Sequence, residues 1–239
     1  MKRAGSVILI AVVVLTVPAC AWASPSTMSE LLPRDGDVVV NQQPTRVGGG
    51  ASDTLLVDRD GQVTWQQLAD EIVLTQTATI GRIGWWGFYG TWNQTHVPPA
   101  TEMFRIRLYD ARAGDGLPGV ILFEQTFDAV SRTATGRNVL AEEPCPEYFY
   151  QINLSQGLTF AAGVRRWLEV VQVGDVGSTY RWELANGPPP GQAYLNPNVT
   201  DWALYYPNCA LQLSTVPEPG SLFLFVSSLF LVRLQGRRR

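Results

Sequence analysis

The chain has 239 residues, with 18 lysines and arginines against 21 aspartates and glutamates, one histidine and a formal net charge of −3. Lys2, Arg3, Arg233, Arg237, Arg238 and Arg239 lie at the two ends, which leaves residues 24–216 with 12 basic residues, 20 acids and no lysine, near −8. An acidic surface without lysine disfavours nucleic acid and anionic lipid as partners, and is compatible with divalent cations or neutral polysaccharide.

Met1-Lys2-Arg3 is a short basic start, residues 7–17 are a nearly unbroken apolar run, and Ala21-Trp22-Ala23 supplies a small-x-small cleavage pattern. Residues 1–23 therefore read as a signal peptide cut before Ser24. The apolar run is short and Pro18 ends it, which disfavours a retained membrane helix. Val17-Pro18-Ala19-Cys20 loosely resembles a lipobox, so lipidation of Cys20 stays open. Residues 24–50 are polar, Gly- and Pro-rich, close on Gly48-Gly49-Gly50, and predict a poorly ordered leader.

Residues 51–216 are long enough for one domain with a sizeable core. Short β-branched and aromatic runs recur there, separated by Gly, Pro, Asn and Asp clusters, with hardly any helical period. Strands are expected at 71–76, 80–89, 103–109, 120–127, 148–153, 166–173, 179–184 and 210–213, with a brief extended piece over 156–163. In 103–109, Phe104, Ile106 and Leu108 point one way and Arg105, Arg107 and Tyr109 the other, the pattern of a strand with one wet face. This spacing predicts an all-β, antiparallel β-sandwich of jelly-roll type; a barrel is the alternative.

Few residues promise catalysis. His96 sits in a proline-flanked loop, and no Gly-x-Ser-x-Gly elbow, phosphate loop or His-Glu-x-x-His occurs. Two carboxylates suffice for glycoside hydrolysis, and the sequence cannot pair them. Seven tryptophans remain beyond the signal, and flat aromatic faces stack on sugar rings. Trp85 and Trp86 must face opposite sides of their strand; Trp86, Trp92 and Trp202 are the candidate sugar contacts. Core packing is the plain explanation for most of the seven. Asp58 and Asp60 before Gly61, and Asp110 with Asp115 before Gly116, set oxygen donors beside turn glycines and are candidate ligands for a structural calcium; no other cofactor is expected. Ordinary Asp-Gly turns account for them equally. Once Cys20 leaves with the signal, Cys145 and Cys209 form an even pair in an exported chain. A disulfide between them would add about 3–5 kcal/mol, and two thiols are the alternative.

The carboxyl end has three parts: Val216-Pro217-Glu218-Pro219, an apolar run over about 221–234, and a closing arginine cluster. The prolines force an extended segment, and the arginines would be retained on the cytoplasmic side. Residues 217–239 resemble the PEP-CTERM sorting signal. That resemblance implies an exosortase of a Gram-negative bacterium as processing partner, a transient stay in the inner membrane, and release to the cell surface or extracellular matrix. The apolar run is short for a permanent span, which suits a transient one.

A second resemblance lies in the succession Ala69-Asp70-Glu71-Ile72-Val73-Leu74, Ile83-Gly84-Trp85-Trp86-Gly87-Phe88-Tyr89, Phe104-Arg105-Ile106-Arg107-Leu108-Tyr109 and Trp167-Leu168-Glu169-Val170. It is similar to an ectodomain that recurs among PEP-CTERM proteins, a sandwich related in shape to carbohydrate-binding modules. The expectation is an exported, noncatalytic protein of the exopolysaccharide layer or biofilm. A carbohydrate-binding module is the alternative, and a secreted glycan hydrolase comes after it.

Overall fold

The computed structural model describes residues 37–57, 63–90, 98–128, 130–139, 145–174, 179–186, 191–205 and 207–216. Regular structure in them is strand throughout: β1 (Val38–Gln42), β2 (Pro44–Ala51), β3 (Asp53–Val57), β4 (Val63–Val73), β5 (Ala78–Tyr89), β6 (Phe104–Ala111), β7 (Pro118–Phe127), β8 (Ser131–Val139), β9 (Cys145–Phe160), β10 (Arg165–Gln172), β11 (Tyr180–Ala185), β12 (Gln192–Leu195), β13 (Ala203–Tyr205), β14 (Asn208–Cys209) and β15 (Leu211–Thr215). They make two sheets, antiparallel but for one parallel bridge between Asp53 and Gln172.

In the first sheet β5 is the spine. β9 follows one of its edges, while β15 and β11 divide the other. β8 extends the sheet past β9, β1 past β15, and β2 and β14 join β11. β1 and β15 meet with Val38 opposite Ser214, and the Thr215 N–H donates to the Asp37 carbonyl at 3.0 Å. The second sheet runs β13-β12-β4-β3-β10-β6-β7, with β4 also paired to β10.

The chain changes sheets at Ser52. Ala51 ends β2 opposite Arg181 of the first sheet, and Asp53 opens β3 opposite Gln172 of the second. The Ser52 N–H donates to the Tyr180 carbonyl at 3.2 Å, and its own carbonyl accepts from the Gln172 N–H at 3.0 Å. Both Ser52 and Asp53 are fully buried, which polar side chains tolerate when they are hydrogen-bonded. Ser52 Oγ accepts from the Leu68 N–H, and the Asp53 carboxylate accepts from the Leu55 and Tyr180 amides.

Alternation along the strands builds a core shared by the two sheets. Phe104, Ile106 and Leu108 of β6 and Leu168 and Val170 of β10 meet Ile83, Trp85, Tyr150, Tyr180 and Trp182 from the first sheet. Trp85 stacks on Tyr150 with centroids 5.7 Å apart, and Phe104 meets Tyr180 edge-on at 5.0 Å. Tyr89 and Tyr150 both donate to Glu102 Oε1, at 2.6 and 2.9 Å, while Arg132 holds the other oxygen. Burial pushes both phenols far above their ordinary range, so they stay protonated donors.

Three expectations change. The leader assigned to 24–50 is strand from Val38 onward, because β1 and β2 are completed by β15 and β11 rather than by local pattern. Its glycines permit this: a Cβ on Gly49 would come 2.7 Å from Phe88, and one on Gly50 would come 2.5 Å from Leu68. The outer side of β6 is not wet, since Tyr109 is 4% exposed and Arg105 and Arg107 are partly buried against Glu169. Finally, Cys145 and Cys209 are not joined. Cys209 belongs to the shared core, whereas Cys145 packs with Phe88 and Val139 in a separate cluster. Phe88 follows core-facing residues of β5 out of phase, so the first sheet lies between the two sulfurs.

Candidate functional site

The second sheet carries a small cluster on the side away from the shared core, made by Ala69, Tyr109, Trp167 and Ala193, with Ala111, Leu117 and Trp202 packed against it. The turn after β6 is fastened over this cluster. The Arg112 N–H donates to the Leu117 carbonyl at 2.8 Å, the Gly116 N–H to the Arg112 carbonyl at 3.0 Å, and Trp167 Nε1 to the Gly116 carbonyl at 2.8 Å. Gly116 has φ +74°, a left-handed conformation that glycine adopts without a Cβ penalty.

Trp202 is partly exposed, as are Ala111 and Leu117, and it meets Tyr109 edge-on at 5.6 Å and 74°. Beside it, Arg112 is fixed on both sides. Its Nε and Nη2 reach the two oxygens of Asp115 at 3.1 and 2.8 Å, and Nη1 reaches Asp201. The Arg112 hydrogen bond and the Trp202 N–H hold the exposed Asp201 carboxyl below the usual range. Arg166 pairs with Asp110, and Arg165 with Glu71. Beneath, buried Glu169 accepts from Tyr109 Oη and from Arg105 Nη2; burial pushes this carboxyl up despite those partners. A partly exposed indole thus lies beside one guanidinium and two carboxylates, a flat apolar face next to hydrogen-bonding groups.

The fold thus gathers Asp110, Asp115 and Trp202, which the sequence proposed for two different ligands. Each of the two aspartates is paired with a guanidinium, and no group of three metal-ligating side chains occurs among the described residues. Trp86 is 9% exposed and lies against Phe149 at 4.7 Å with Ala185 and Ala210, so packing covers the face expected to meet sugar. Trp92, Asp58, Asp60 and the motif residues Pro217, Glu218 and Pro219 lie outside the described residues. Val216 is the last residue described in the chain, and its N–H donates to the Thr79 carbonyl at 3.0 Å.

Sequence reasoning missed Arg112 and Asp201 as partners, because 89 residues separate them and only the fold joins them. It also missed Glu147 and Glu183, two buried acids of the first sheet that both meet Arg46. Compared with protein-family models, curated proteins and solved structures, the chain matches none.

Proposed function

We propose that this chain is an exported, noncatalytic protein of the cell surface or extracellular matrix, sorted by an exosortase through Pro217-Glu218-Pro219 and associated with exopolysaccharide. The mature part is a jelly-roll-like sandwich, a reading supported by the core that both sheets share. The observation that carries the sorting proposal is where the fold closes. β15 lies between β1 and β5, Val216 bonds to Thr79, and the proline motif begins at the next residue. A processing enzyme could then take hold of the motif without unfolding the sheet, while Val216 belongs to the domain rather than to the tail. Glu218→Ala should leave unprocessed chain in the membrane fraction. Identical intact mass and distribution for variant and wild type would count against sorting.

A second reading, glycan binding, is favoured by one feature: Trp202 stands beside a guanidinium already locked by two carboxylates, so little ordering entropy opposes a ligand there. Trp202→Ala should abolish retention on whichever polysaccharide binds the wild type, whereas Trp86→Ala should keep it if the variant folds. Blank binding of the wild type across a glycan panel would favour a scaffold role alone.

A further inference from the structure

We propose that buried Glu183 keeps a proton beside Glu147, and that this proton makes their cluster a pH-operated latch holding β2 on the first sheet. Glu147 stands on β9 and Glu183 on β11, both fully buried. Glu183 Oε2 and both Glu147 oxygens lack an aligned hydrogen-bond donor among the described residues. Two buried carboxylates held on one arginine repel if both are ionised, and a proton on one of them removes the repulsion and supplies one of the missing donors.

Arg46 of β2 closes the cluster. Its backbone N–H donates to Glu183 Oε1 at 2.8 Å, and its Nε stands 3.4 Å from Glu147 Oε2. It does both from φ +61°, a left-handed conformation uncommon for a residue with a Cβ. From β8, Arg137 Nη1 approaches Glu147 Oε1 at 3.9 Å. Cys145 and Arg181 stand two residues away on β9 and β11, and β5 contributes Phe88 opposite Arg181, which carries no titratable group. Both guanidiniums form their ion pairs with Glu147, while Glu183 receives one backbone donor and a weaker pull from the Arg46 charge. The proton belongs on Glu183.

Burial, and next the Glu147 charge, push Glu183 up to about 8 from its ordinary 4.5. When β2 lifts, water reaches the carboxyl and its ordinary value returns. Between those two values the closed form keeps a proton that the open form has lost. Opening therefore becomes easier as pH rises, by up to about tenfold per unit, and levels off above the upper value.

Amide hydrogen exchange on the full-length chain in mild detergent tests this between pH 5 and pH 9. After correction for intrinsic base catalysis, protection at Arg46, Gly49 and Gly50 should fall at least tenfold by pH 8, and Leu168 and Val170 serve as reference. Glu183→Gln, a neutral isostere, should flatten the fall. Wild-type protection that does not change with pH, or a fall that survives in Glu183→Gln, would overturn the latch. Should that variant not fold, carboxyl-carbon NMR of wild-type Glu183 decides, and a midpoint in the usual glutamate range would overturn it equally.

Discussion

The carboxylate of Asp53 in one sheet accepts the amide hydrogen of Tyr180 in the other, at 3.2 Å in a fully buried position. The same side chain also takes the Leu55 N–H at 2.9 Å, and Gln172 donates to it. Asp53→Ala would strand several buried donors at the corner where the chain passes between sheets. The expected loss is about 2–5 kcal/mol, read as a lower urea midpoint. A midpoint equal to wild type would show that the corner does not depend on this group.

Asp70 sets a pH dependence of stated sign. Burial is the largest influence on it and pushes its carboxyl well up, although the Cys209 N–H donates to it at 2.9 Å. The folded chain thus holds a proton that the unfolded chain gives up near pH 4. Stability from this group is complete below that point and is lost as pH rises toward the folded value. Asp70→Asn removes the dependence. At pH 7.5 the variant should exceed wild type by at least about 1 kcal/mol in urea unfolding, and at pH 4 the two should agree within about 1 kcal/mol. A wild type that gains stability toward alkaline pH relative to the variant would contradict this.

Trp85 and Trp86 should differ on truncation, though they are neighbours. Trp85 is 0% exposed between Tyr150 and Phe104, so Trp85→Ala leaves a cavity where both sheets meet. About 3–5 kcal/mol should be lost. Trp86 packs in a small cluster on the other side of β5, and its truncation should cost less. Thermal unfolding of the two variants ranks them, and a larger drop for Trp86→Ala would reverse the assignment of faces.

Gly87 has no room for a methyl group. A Cβ there would lie 2.3 Å from the Tyr180 hydroxyl and 2.5 Å from its ring, and Tyr180 is itself fully buried. Gly87→Ala should cost at least about 1–3 kcal/mol by overpacking. A compensating Tyr180→Phe, which removes the nearest atom, should recover part of it in a double-mutant cycle. Additive losses would mean that the clash is relieved elsewhere.

β6 and β11 were legible because their apolar residues sit at period two, and β5 and β10 because β-branched and aromatic residues crowd both of their faces. β8 was not: Ser131–Val139 is an edge strand exposed along most of its length, so no burial marks it in the sequence. β2 was misread for the opposite reason, since its glycines signal close approach to Phe88 and Leu68 rather than looseness. The strand pieces expected at 148–153 and 156–163 fall largely on one strand, β9, which bulges where Ile80 and Arg82 of β5 oppose Leu158 and Asn153. At the candidate site, Trp202 stood out as a loop aromatic. Arg112, Asp115 and Asp201 are ordinary turn residues until the fold brings the loops together.

The hydrogen bond between Thr215 and Asp37 has a topological consequence. The first and last described strands, β1 and β15, therefore meet at one corner. A circularly permuted version, with a few glycines bridging that corner and fresh termini opened in the exposed tip between Ala113 and Gly114, should still fold.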